Sequence, residues 1–84
     1  MLLLPFDRLL TEDRNGTYTE TLSALEGSSM SVKEAAARLG IHRNTVLFRL
    51  KRIRELSGLD PVNRSRDRRI VSLLLTIKKR LSSL

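Results

Sequence analysis

Apolar residues along this chain recur at intervals of three and four positions. Tyr18, Leu22 and Leu25 form one such set, and Val32, Ala35, Ala36 and Leu39 a second. Val46, Leu50, Ile53 and Leu56 form a third, and Ile70, Leu73, Leu74, Ile77 and Leu81 a fourth. Each set marks one face of a helix, because side chains three and four apart stand above one another. β-branched and aromatic residues are sparse and never alternate as a half-buried strand requires. The pattern predicts a small all-α bundle of four to five helices.

Polar and conformationally special residues punctuate these sets. Residues 1–10 carry Leu2, Leu3, Leu4, Phe6, Leu9 and Leu10, and a short helix is expected to start near Pro5. The stretch "TEDRNG", residues 11–16, reads as a polar loop. The first clear helix is predicted over Tyr18–Glu26, with Thr17 as N-cap, Glu20 completing a capping box and Gly27 as the stop. Ser31 and Glu34 form a second capping box ahead of Val32–Leu39, and Gly40 suits the left-handed position past a helix end. A third helix should run from Arg43 to Ser57 and stop at Gly58. After the Asp60-Pro61 linker a last helix is expected over Arg66–Ser82. The whole reads as one domain: an extension over 1–16, a central helix pair over 31–57 and a C-terminal helix within 64–84.

Only Gly40, Ile41 and His42 separate the two central helices. So short a joint, opening on glycine, predicts a helix-turn-helix. With Val46, Leu50, Ile53 and Leu56 turned inward, a rotation of about 100° per residue puts Asn44, Phe48, Lys51, Arg52 and Glu55 on the opposite face. In this motif the start of the second helix meets base edges in the major groove. That selects His42, Arg43, Asn44 and Leu47 as base readers, with arginine matched to guanine and asparagine to adenine. Thr45 is a candidate phosphate contact, helped by unpaired amides at the helix start. Arg49, Lys51, Arg52 and Arg54 fan around the helix, some of them toward the DNA backbone. Phe48 has two readings: contact with a thymine methyl or sugar, and packing against another helix.

Charge sharpens this picture. The net charge is +7 and the sequence pI about 11.1. Residues 1–30 carry −3, whereas residues 31–57 and 58–84 carry +5 each. A basic C-terminal two-thirds matches a polyphosphate partner. Lys33, Arg38, Arg66 and Arg68 join the candidate phosphate contacts, and Arg64 and Arg69 lie in the same basic run. The chain has no cysteine, which removes disulfides and thiolate metal sites, and its one histidine leaves no catalytic or metal constellation. Asp7 and Asp13 read as solvated acidic residues. No cofactor and no enzyme activity is expected. No apolar run reaches the roughly 20 residues of a membrane span.

The residues from Tyr18 to Asp60 resemble the C-terminal helix-turn-helix domain of the purine-catabolism and sugar-diacid regulators, a family of bacterial transcription factors, and the resemblance extends from about Leu9 to Leu75. The resemblance rests on "TL" at Thr21-Leu22, "AAARL" at Ala35–Leu39, "HRNT" at His42–Thr45, "RL" at Arg49-Leu50 and "LSGLD" at Leu56–Asp60. It implies a fold similar to the factor for inversion stimulation, a double-stranded DNA partner and a place on the bacterial nucleoid in the cytoplasm. It also implies longer regulators whose upstream domains bind any effector; 84 residues hold no such domain. Phe48 departs from the family, where tyrosine is usual, and so lacks a hydroxyl for a phosphate.

Two other classes share parts of this pattern. A small basic RNA-binding or ribosome-associated protein would share the charge, but the chain lacks aromatic platforms for stacking bases. An oligomerisation or docking module would share the apolar faces. A homodimer is compatible with either surplus of leucines, at Leu2–Leu4 with Phe6 or at Val71 and Leu75 beside the main stripe of the last helix. The simpler reading is that both complete a small core.

Overall fold

The computed structural model describes residues 5–13 and 15–82. Among them are five helices and no strand: α1 (Pro5–Glu12), α2 (Thr17–Gly27), α3 (Val32–Leu39), α4 (Arg43–Ser57) and α5 (Ser65–Ser82). The all-α bundle is as the periodicity predicts. α4 is the central element and packs against α1, α2 and α3, while α5 leans on α2. Leu2–Leu4 and the side chain of Phe6 lie outside the described residues.

Two apolar clusters make the core. The larger joins Leu9 of α1, Leu22 of α2, Ile53 and Leu56 of α4, Leu59 of the following loop, and Val71 and Leu75 of α5. The smaller joins Leu25, Met30 and Ala35, with Val32 and Val62 beside them. Leu50 packs against both and so links them through α4. The small Ala35 and Ala36 are buried where α3 meets its neighbours, which is the close approach their size permits.

Helix ends follow the sequence at three places and depart from it at two. Ser31 caps α3, its hydroxyl accepting from the Glu34 amide at 3.2 Å. The return arm of the box is replaced, since the Ser31 amide donates to the Ser28 carbonyl. Gly40 and Gly58 close α3 and α4 in left-handed geometry, at φ 69° and 76°. At α2, however, Thr17 is the first helical residue and Gly16 stands at the cap without a side chain to offer. Asp13 takes over from across the turn. Its carboxylate accepts from the amides of Tyr18 and Thr19, both at 2.9 Å, and from the Thr19 hydroxyl at 2.8 Å. A negative group therefore meets the unpaired amides at the positive end of α2. The Thr17–Glu20 box is not the cap, and Asp13 is not a solvated loop residue.

At the other end of α2, Gly27 is the last helical residue and not the stop. The left-handed residues are Ser29 and Met30, at φ 53° and 65°. Such geometry costs a non-glycine residue roughly 1–3 kcal/mol. Burial of the Met30 side chain against Leu25 and Ala35, and a 2.7 Å bond from its amide to the Leu25 carbonyl, offset that cost. The tip of the exposed Arg38 side chain lies over Gly27, 2.8 Å from where a Cβ would stand, and such a tip can move aside at little cost.

The last helix turns a different face inward than expected. Val71 and Leu75 are core residues, whereas Leu73, Ile77 and Leu81 are exposed, Leu73 and Leu81 by more than 60%. The apolar arc of α5 spans roughly 200° of its circumference. The bundle covers only the side running through Ile70, Val71, Leu74 and Leu75. Val71 and Leu75 are thus no surplus available for pairing.

The segment "LSGLD" is structural throughout. Leu56 and Leu59 are buried, and the Ser57 hydroxyl donates to the Ile53 carbonyl at 2.7 Å while accepting from the Leu59 amide. The Asp60 amide donates to the buried Asp67 carboxylate in the first turn of α5, at 2.9 Å. One further bond ties α2 to α4. Arg49 donates to the hydroxyl of fully buried Thr21 at 3.1 Å, and Thr21 in turn donates to the Thr17 carbonyl.

Two outcomes test these assignments by urea denaturation. Asp13→Ala should cost about 1–2 kcal/mol, because it strips the cap from α2, while Thr17→Ala should stay within about 0.5 kcal/mol. Equal effects would contradict the cap exchange. A double-mutant cycle of Arg49→Ala and Thr21→Val should give a coupling of about 1 kcal/mol. A coupling of zero would show that the α2–α4 bond adds nothing to stability.

Candidate nucleic-acid interface

The corner between α3 and α4 is built by backbone geometry. Gly40 reverses the chain at φ 69° and ψ 33°, and its amide donates to the Ala37 carbonyl. The Ile41 amide reaches back to the Ala36 carbonyl at 3.0 Å, which satisfies carbonyls the helix end would otherwise leave open. Ile41 is half-buried in the angle. His42 is extended, at φ −73° and ψ 145°, and caps α4: its Nδ1 accepts from the Asn44 amide at 3.0 Å. Accepting there requires Nδ1 without a proton, so the neutral ring carries its proton on Nε2.

Beyond the corner, α4 divides cleanly. Val46 and Ile53 are fully buried, with Leu56 beside them. His42, Arg43, Asn44, Leu47, Phe48, Lys51, Arg52 and Arg54 are exposed. The structure therefore brings Arg43, Asn44, Leu47, Phe48 and Lys51 onto one outward surface over the first turns of α4. Phe48, at 66% exposure, does not pack against another helix, which removes one of its two readings.

Other candidate residues have internal duties. Arg49 is half-buried and directed at Thr21, away from the outward face. His42 spends one ring nitrogen on the cap. Thr45 is half-buried, and its amide bonds to the His42 carbonyl. The amides of Asn44 and Thr45 are thus already used and are not open to a phosphate. Arg52 pairs with Glu55 at 3.3 Å on the surface, and Arg54 stands 3.9 Å from Asp60. Arg68 donates to the carbonyls of Pro61 and Val62, fastening the loop before α5. Lys33, Arg64, Arg66 and Arg69 are exposed. No local signal marks Thr21 as the partner of Arg49, since the pair is 28 residues apart and only the packing of α2 on α4 joins it.

The arrangement offers charge and hydrogen-bond donors. Among the described residues no group of three or more His, Cys, Asp or Glu is placed to hold a metal ion. No helix among them is long and apolar enough to cross a membrane.

Comparison with known proteins agrees with this geometry. The chain is 44% identical over 59 residues to the carbohydrate diacid regulator of Escherichia coli K12, an alignment covering 70% of this chain and 15% of that protein. It is 42% identical over 50 residues to the transcriptional activator PmfR of Paenarthrobacter nicotinovorans, covering 60% of this chain and 11% of that one. The chain thus spans a small fraction of the length of these relatives. No solved structure gives a significant match. Residues 18–77, from the first turn of α2 into α5, match the PucR C-terminal helix-turn-helix domain, and the chain belongs to that family.

Proposed function

We propose that this domain binds double-stranded DNA sequence-specifically, as the DNA-binding part of a bacterial transcriptional regulator. The observation that carries the reading is the exposed start of α4 beyond the Gly40 corner, where Arg43 and Asn44 stand clear of the fold. Membership of a helix-turn-helix family supports a DNA-binding role in general. The relatives' names, a regulator and a transcriptional activator, support its use in transcription.

The mechanism is non-covalent. α4 lies in the major groove with its first turns toward base edges. Arg43 clasps guanine O6 and N7, Asn44 pairs with adenine, and the Nε2 edge of His42 is a third polar reader. Lys51, with Arg54 and the cations around α5, meets phosphates and fixes the register without reading sequence. Lys33, Arg64, Arg66 and Arg69 belong to this second class. Arg49 acts as a positioning residue: its bond to Thr21 sets how α4 sits on α2. One such module covers one half-site, so an operator of two half-sites takes two copies. Any effector acts through parts of a longer regulator beyond these residues.

Titration of selected duplexes at fixed salt tests the division of labour. Arg43→Ala and Asn44→Ala should each lose about 1–3 kcal/mol of discrimination at one or two base positions. Lys51→Ala should weaken all sequences alike and reduce the salt slope by about one. Specific binding untouched by Arg43→Ala and Asn44→Ala would remove α4 from the groove. Stronger retention by structured RNA than by duplex DNA would favour the RNA-binding class instead.

A further inference from the structure

Leu47 and Phe48 are 49% and 66% exposed, side by side on the part of α4 that carries Arg43 and Asn44. Scattered exposed apolar residues need no explanation. These two differ in position: they lie one helical turn beyond Asn44, on the same face, and so beside the side chains assigned to base edges. Neither can donate or accept a hydrogen bond. Phe48 carries no hydroxyl for a phosphate, and the internal-packing role is ruled out by its exposure. The major groove presents donors, acceptors and one apolar group, the C5 methyl of thymine.

Resting on the DNA-binding reading above, we infer that Leu47 and Phe48 form a methyl-reading patch that gives this domain a preference for thymine next to the bases read by Arg43 and Asn44. The aromatic face of Phe48 covers the methyl, and Leu47 closes the contact from the side of Arg43. The patch reads a feature that the polar readers do not, because exchange of thymine for uracil removes the methyl and leaves every donor and acceptor in place. Burying one methyl group corresponds to about a fourfold gain in affinity.

The test begins with selection of the 84-residue chain on random duplexes of about 20 base pairs, two turns of B-DNA. The enriched duplex is then remade with deoxyuridine at each thymidine in turn. The native protein should bind about fourfold more weakly at one or two positions per half-site. Phe48→Ala should bind the thymine and uracil duplexes equally, and Leu47→Ala should narrow the gap. Asn44→Ala should lose discrimination at its own base and keep the thymine preference. Both apolar side chains are exposed, so their removal leaves the core intact, and an unchanged urea midpoint verifies this. If uracil matches thymine at every position in an enriched duplex, the methyl patch is wrong and the DNA-binding reading stands. If no duplex is enriched, both fall together.

Discussion

The rotation of α4 about its own axis governs everything this domain presents to solvent. Val46 and Ile53 are fully buried, and Leu50 touches both halves of the core. Burying such side chains is worth roughly 1.5–3 kcal/mol each. Turning the helix by one residue, about 100°, would expose them and drive charged neighbours into the interior. No surface contact in the described fold competes with a term of that size. The outward placement of Asn44, Phe48 and Lys51 is therefore a consequence of the inward placement of Val46, Leu50 and Ile53. The outward face and the core are two sides of one helix, fixed by one set of contacts.

The corner before α4 adds direction to that rotation. A left-handed Gly40 and an extended His42 let the chain leave α3 and enter α4 within three residues. Bonds from Gly40 and Ile41 back into α3 satisfy the helix end, so the tight joint leaves few backbone groups unpaired. The cap from His42 then orders the first turn of α4 without help from a ligand.

What could be read from the sequence was whatever is local. Ser31, Gly40 and Gly58 act within a few residues of their own positions, and their roles follow from propensity alone. The inward stripe of α4 was equally legible, because Val46, Leu50, Ile53 and Leu56 recur at helical spacing while the charged residues fall on the other side. Three features depended on how the chain packs, not on propensity at a single position. Asp13 caps α2 only because the intervening turn folds it back over the helix start. Met30 takes a backbone shape suited to glycine because its side chain fills a space between Leu25 and Ala35. α5 has an apolar arc too wide for periodicity to choose a face, and the bundle decided in favour of Val71 and Leu75. In the candidate site, the exposed set was legible and the internal use of Arg49 was not, since Thr21 lies on another helix.

The residues that made the family recognisable are mostly not in a position to read DNA. Thr21 and Arg49 bind each other, Leu22 is in the core and Leu50 packs against it, and "LSGLD" closes α4 and begins the route to α5. Within "HRNT" the division runs through single residues: the Asn44 amide is held by His42 while the Asn44 side chain is exposed. A domain that recognises different operators must keep the first kind of residue and vary the second. Arg43, Leu47, Phe48 and the side chain of Asn44 are among the positions on α4 where change costs the fold least, since they are exposed and none carries a core contact. The outward side chains of this helix can therefore change while its rotation, its cap and its joint to α3 stay as they are.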